Sequence, residues 1–417
     1  METQQCINII ETMVPCLVRS GTDPGLAQFL SIIIGVLIVT LMPLVLVILF
    51  IWLERKIAAR VQDRIGPNRV GPFGLLQNVA DAVKLIIKED ITPAGADRLI
   101  YNAAPVIAIL SVILVWGVIP YSPIHIGADL SIGVVYVVAI GSVGTLAIMM
   151  AGWSSNNKYA LLGAFRAVAA LISYEIPMIL ALLIPVMIAG TMSMQGIVEA
   201  QQGMWFIVSA PIAALIFYIS NLAETGRAPF DLVEAESELV AGYNIEYSGM
   251  KFGLFMASEF LHSFTANLLF AVIFLGGWSG PFVAQLPLLG FVWLMAKTLV
   301  PYIFTLVLRA TIPRVRIDQM MAFNWKFLVP IAIVNVLITA LVLKIVQTVG
   351  LSPSPENATD FVANLPQGLI LFATNLFMAF IVLNMLRNQG RRERMADQAR
   401  MLRTVEQDKQ IVPSAAH

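Results

Sequence analysis

Residues 29–53 read FLSIIIGVLIVTLMPLVLVILFIWL, a run of 25 without one ionisable side chain. As a helix rising about 1.5 Å per residue it is long enough to cross a hydrocarbon core of about 30 Å. Further long apolar runs occur at 100–121, 131–151, 160–190, 204–223, 252–276, 286–308, 327–346 and 367–386. The 417-residue chain is 58% hydrophobic and only 12% charged, about half the charged share of soluble domains. We therefore expect an all-α fold, a polytopic transmembrane helix bundle with about eight or nine tilted spans. The run at 160–190 exceeds the core thickness, so it must tilt or protrude, and Pro177 and Pro185 are expected to bend it.

Charge orients the bundle. Of the 26 Lys and Arg residues, 22 fall in segments 54–99, 152–159, 224–251, 309–326 and 387–417, which nine crossings place on one side. The positive-inside rule makes that side cytoplasmic and the N-terminus external. The expected organisation is an outside N-terminal tail at 1–28, an eight-span core at 29–346 and an outside linker with a ninth span at 347–386. A basic cytoplasmic C-terminal tail follows at 387–417. The polar, mixed first 28 residues do not read as a cleavable signal peptide. Formal net charge is zero, so no nucleic-acid partner is indicated.

Cysteine and histidine are scarce. Cys6 and Cys16 are too few for an iron–sulfur cluster, which takes four ligands. They are either bridged, if the tail faces an oxidising compartment, or free thiols. His125, His262 and His417 are too scattered for a histidine metal site or haem pair. No P-loop, dinucleotide-binding glycine fingerprint or HExxH motif is present. Any redox cofactor must belong to a partner or diffuse in.

Several ionisable residues do fall inside the apolar runs: Arg166 and Glu175 in the fourth, Glu259 and His262 in the sixth, Lys297 in the seventh. Charges at membrane depth cost on the order of several kcal/mol and mark ion or proton routes. The plainer reading of each is a structural pair, such as Lys297 with a neighbouring glutamate. Glu259 and His262, three apart, share a helix face. They also look like half of a di-iron motif, but the full site needs a second pair and two more glutamates, so no metal is expected.

Two loops on the basic side carry most of the information. Residues 224–251 hold Glu224, Asp231, Glu234, Glu236, Glu238 and Glu246 against Arg227 and Lys251. Their alternation with Leu232, Val233, Ala235, Leu239 and Val240 argues for partial burial rather than a solvated acidic loop. Crowded, half-buried carboxylates raise one another's pKa and can hold and pass protons near neutrality. In 54–99, the basic residues Arg55, Lys56, Arg60, Arg64 and Arg69 run into Gly66-Pro67 and Gly71-Pro72 breaks, and a helical pattern follows. That pattern has Val79, Val83 and Ile86 opposite Asp81, Lys84 and Lys88, an amphipathic helix for the membrane surface or a soluble partner. It makes a reasonable rim for the entry of a lipid-like substrate.

Four stretches together resemble one family. ERKIAARVQDRIGPNRVGPFGLLQNVADAVKLIIKE (54–89), GWSSNNKYALLGAFRAVAALISYEIP (152–177), AETGRAPFDLVEAESELVAGYNIEYSG (223–249) and RATIPRVRIDQMMAFNWKFLVP (309–330) are similar to the H subunits of proton-pumping NADH–quinone oxidoreductase, respiratory complex I. One departure is Gly226, where the family's AETNRAPFD pattern has asparagine.

The resemblance implies a subunit joining the membrane arm to a peripheral arm whose other subunits carry flavin and iron–sulfur clusters. This chain would bind no cofactor of its own and would admit quinone as substrate. Its partners would be the iron–sulfur and quinone-site peripheral-arm subunits, small membrane subunits and the lipid bilayer, and its home the bacterial inner membrane. Glu175, Glu224, Glu234, Glu236, Glu238, Glu246 and Glu259 match the family's glutamate-rich proton route. Arg55, Asp81 and Lys84 match positions near the quinone entrance. Arg227, Arg314 and Arg316 would tune carboxylate charge or hold the loop. Quinone reduction nearby would then change the charge of this route and drive pumping in the membrane arm. Competing readings are the membrane subunit of a related membrane-bound hydrogenase, a stand-alone proton transporter, and a structural anchor.

Overall fold

The computed structural model describes residues 23–124, 126–227, 229–230, 240–351 and 361–411, without the side chains of residues 389 and 392–411. In chain order the helices are α1 (Pro24–Val61), the short surface helix α2 (Gln77–Ile87), α3 (Arg98–Trp116), α4 (Gly133–Ser154) and α5 (Lys158–Ala189). Then come α6 (Met194–Ala200), α7 (Phe206–Ser209), α8 (Pro211–Glu224), α9 (Gly249–Phe274), α10 (Leu288–Thr311), α11 (Ile317–Phe323), α12 (Val329–Val349) and α13 (Phe361–Ile411). Among the described residues there is no strand, only an isolated bridge between Pro120 and Ile126.

Eight helical stretches are long and apolar enough to cross a membrane, α11 and α12 counting as one. They coincide with eight of the nine apolar runs. The exception is 204–223, which is broken into α7 and α8 at Ala210 (φ −135°, ψ 59°). The cause is Pro211: it lacks an N–H to donate, and its ring drives the preceding residue out of the helical region. Helix α8 alone, with 14 residues, reaches about 21 Å, short of a full crossing.

A break at membrane depth leaves carbonyls without donors, and no water is there to serve them. Asn375 of α13 supplies one: its buried Nδ2 donates to Ser209 O at 3.2 Å as well as to Leu371 O at 2.9 Å. The ninth span therefore clips the broken fifth one. Asn375→Leu should cost on the order of 1 kcal/mol, read as a lowered thermal midpoint in detergent. Asn384→Leu, at an exposed position of the same helix, should cost nothing. Equal midpoints for the two variants would mean that the clip is idle.

One boundary differs from expectation. Helix α13 runs unbroken from the ninth span through the basic segment to Ile411, 51 residues or about 76 Å. Residues 387–411 are rich in Arg and Gln and contain no proline, so nothing stops the helix. Helix α5, by contrast, covers all but the last residue of the expected run at 160–190 and is continuous through Pro177 and Pro185. Between α11 and α12, a π-helical turn at Asn324–Leu328 precedes Pro330 and absorbs the misfit that proline imposes. There the buried Asn324 Nδ2 donates to Ser173 O on α5 at 2.6 Å.

The burial pattern says which helices form the centre. In α9, 72% of the apolar window is buried and in α5 56%, against 17% for α1 and α13, whose outer faces are left for lipid. Small residues let the central backbones approach. A Cβ on Gly152 would strike Ala164, and one on Gly163 would come within 2.7 Å of the Gly242 backbone. The loop after α8 thus lies directly on α5, which brings its residues to the mouth of the bundle.

Candidate functional site

A cavity of about 1360 Å³, part of it open space, lies between α3, α4, α5, α8 and α9. Glu175 reaches its wall from α5, Glu224 from the last residue of α8, and Glu259 and His262 from α9. Three carboxylates and an imidazole, separated by up to 87 residues in sequence, therefore share one chamber. Glu224 Oε1 stands 3.7 Å from His262 Nε2. The chamber is roomy at this point because α4 presents Gly141, whose added Cβ would meet only Glu224 Oε1, at 3.9 Å. Glu175 Oε1 and Asn221 Oδ1 are buried here without a protein hydrogen-bond partner, and water is the partner such groups take in a polar, roomy site.

The wall changes character along its length. Ser111, Thr145, Asn221, Thr225 and Ser258 accompany the carboxylates, whereas Val134, Leu182, Met194, Phe217 and Ile273 line the end away from the basic loops. None of these five side chains can take or give a proton.

Below the chamber on the basic side lies a cluster that sequence reading did not assemble. Glu54, near the end of α1, is 6% exposed and receives Arg227 Nη1 at 2.5 Å. Arg309 Nη1 of α10 also lies against the same oxygen, Glu54 Oε1. Arg227 is 1% exposed, and its guanidinium sits 4.8 Å from the Phe260 ring centre on α9. One carboxylate thus ties together α1, α10 and the start of the acidic loop. A signal existed: Glu54 is the first charge after 30 uncharged residues, at a depth where a lone carboxylate is costly. Of the arginines expected to tune charge, Arg227 is in this cluster. Arg314 and Arg316 are exposed, with Arg316 paired to Asp318 at 3.8 Å; from their segment it is Arg309 that reaches inward.

The three residues expected at an entrance come together. Arg55 Nη1, from the end of α1, lies 2.6 Å from Asp81 Oδ2 on α2, and Lys84 Nζ is 3.7 Å from Asp81 Oδ1. Partial burial pushes the Asp81 carboxyl up, but the Arg55 hydrogen bond and charge, with help from Gln77 and Lys84, hold it below the usual carboxylate range. It is ionised at neutral pH, and the pair's contribution is lost only as acid drives pH down through that lowered pKa. Helix α2 is fixed from beneath by Asn78 Nδ2 donating to Ile48 O at 2.6 Å, while Val83, Ile86 and Ile87 remain exposed.

Glu246 stands apart from the cavity. Its Oε1 accepts from Asn157 Nδ2 at 2.7 Å, and its carbonyl accepts from Tyr101 OH at 2.7 Å. Among the described residues Lys297 meets no glutamate: its amine donates to Ser279 O at 2.7 Å and sits over the Trp205 ring. Glu234, Glu236 and Glu238 lie outside the described residues, as do Asp231, Cys6, Cys16, His125 and His417.

Comparison with known proteins fits this arrangement. The family model described as NADH dehydrogenase matches residues 34–340. The H subunit of NADH-quinone oxidoreductase from Dehalococcoides mccartyi is 47% identical over 315 residues, 76% of this chain and 86% of its own. An H subunit of the same enzyme from Geobacter metallireducens is 47% identical over 303 residues, covering 70% and 90% of the two chains. That of Geobacillus kaustophilus is 47% identical over 291 residues, 69% and 87%. The matched region holds every element from α1 to α12 that builds the cavity and the Glu54 cluster, and it stops before α13. The chain belongs to the family of NADH-quinone oxidoreductase H subunits.

Proposed function

We propose that this chain is the quinone-channel and coupling subunit of a proton-pumping NADH-quinone oxidoreductase. The observation that carries the reading is the convergence of Glu175, Glu224 and Glu259 on one polar chamber beside the loop that bears Glu234, Glu236 and Glu238. Carboxylates in a partly desolvated chamber change charge readily when a neighbouring charge changes. Quinone enters past the rim of Arg55, Asp81 and Lys84 and is reduced by clusters held in partner subunits. The charge left by that reduction is met by protons taken up through the loop acids and passed to Glu224, Glu175 and Glu259.

From there the charge leaves sideways. Among the described residues the apolar end of the chamber offers no proton acceptor, which favours handing on to neighbouring membrane subunits over a path straight across this chain. That layout favours coupling over stand-alone transport. Glu246 steadies the loop against α5 through Asn157. Arg227 holds the loop's start, and Arg314 and Arg316 present positive charge to the peripheral arm. The chain binds no flavin or cluster itself. It sits in the bacterial inner membrane with its N-terminus outside and its C-terminus cytoplasmic.

Affinity purification in mild detergent tests this directly. Co-purifying flavin, iron–sulfur clusters and inhibitor-sensitive NADH:quinone reduction is the expected outcome. Recovery with nickel and hydrogenase activity, or of the chain alone with proton transport in proteoliposomes, would overturn it.

A further inference from the structure

His262 is the only basic side chain on the described wall of the chamber, among three carboxylates. It sits one turn from Glu259 on the same face of α9, and its Nε2 faces Glu224 Oε1 on α8 at 3.7 Å. Its side chain is 32% exposed and lines the chamber. The other ionisable groups on that wall are Glu175 from α5, Glu224 from α8, Glu259 from α9 and Tyr243 from the loop. Helices α3 and α4 contribute Ser111 and Thr145, and α6 contributes Met194. Helices α1 and α10 meet α9 through Phe264, which stacks on Phe50 and packs against Tyr302. Phe260, on that same side, carries the Arg227 guanidinium of the Glu54 and Arg309 cluster. Both phenylalanines are two positions from His262 and hence about half a turn away. Helix α2 brings Asp81 and Lys84, which are engaged with each other and with Arg55.

We propose that His262 is a proton-carrying member of the relay, standing between Glu224 and Glu259. The proposal rests on the reading of the chamber as a proton route and names the group that bridges its two helices. Carboxyl groups alone switch between neutral and negative. An imidazole adds a positive state and can both accept and donate a proton, one nitrogen for each. In the step, protonated Glu224 releases its proton, through one intervening water, to neutral Nε2, giving a carboxylate beside an imidazolium. The imidazolium then gives a proton to the Glu259 carboxylate and returns to neutral. No electron moves, and one proton has advanced from α8 to α9. The transient ion pair forms where Gly141 leaves room for water to solvate it.

The test uses the intact complex in sealed inverted vesicles, with NADH-driven proton uptake followed from about pH 6 to about pH 8. His262→Gln keeps the shape and hydrogen bonding but carries no proton. It should lower uptake by about tenfold or more and flatten the pH profile. His262→Ala should be equally impaired and should recover in part when imidazole is added to the buffer, a response that a purely structural role would not give. Glu224→Gln runs in parallel. If it is impaired while His262→Gln keeps the wild-type rate and profile, the role of His262 is overturned. That role is equally overturned if the loss in His262→Ala is indifferent to imidazole and the pH profile is unmoved. If Glu224→Gln itself pumps normally, the failure belongs to the reading of the chamber as a proton route.

Discussion

Glu54→Ala should leave the complex poorly assembled or thermally labile, because it strands the Arg227 guanidinium inside the bundle. Arg227 is 1% exposed, and losing the partner of a buried charge costs about 3–5 kcal/mol. Removing Arg309 instead should cost only about 1 kcal/mol. Its side chain is 39% exposed, and Glu54 keeps Arg227. The ranking separates a buried anchor from a surface pair. Replacing both partners, Glu54→Leu with Arg227→Met, removes the stranded charge and should recover much of the loss. The readouts are the amount of chain retained in the membrane complex and the temperature at which quinone reduction fails. Losses of equal size in Glu54→Ala and Arg309→Ala would show that Glu54 is not the keystone of the cluster.

That cluster marks where legibility in the sequence ended. Hydropathy alone located every long helix, since 25 apolar residues in a row admit few other fates. Helix α2 was also foreseeable, because a break-rich basic stretch and an amphipathic pattern are local signals; the grouping of Arg55, Asp81 and Lys84 was implied only by the family resemblance. Glu175, Glu259 and His262 stood out as charges at depth, and the structure places them together with Glu224. What pattern reading could not supply was pairing across distance. Glu54 meets Arg227 across 173 positions, and no periodicity links α1 to the loop after α8. The interruption at Pro211 escaped because the composition of 204–223 is that of a whole span. Only the absent proline N–H, and the Asn375 amide 166 positions from the carbonyl it serves, show that it is two pieces. For Lys297, where a carboxylate pair was the plainer of two readings, a carbonyl, a hydroxyl and an indole face serve the amine.

Glu224→Gln should uncouple or stall the complex while leaving its fold intact. Glutamine matches the carboxylic acid in shape and presents donor and acceptor atoms but has no proton to transfer. Glu224 is the last residue of α8, adjoining the loop on one side and facing His262 on the other. A proton passing from the loop acids into the chamber meets it first. Loss of a positioned acid–base group lowers a proton-transfer step by about a hundredfold or more, so NADH-driven proton uptake should fall by about tenfold at least, even with a parallel path through water. Glu259→Gln should be milder, since Glu175 remains on the same chamber wall as an alternative acceptor. NADH oxidation with a soluble artificial acceptor should not change in either variant, because those electrons never reach this chain. If the Glu224→Gln complex moves protons per quinone reduced at the wild-type ratio and rate, the chamber is not the route. The charge must then pass through the loop acids alone.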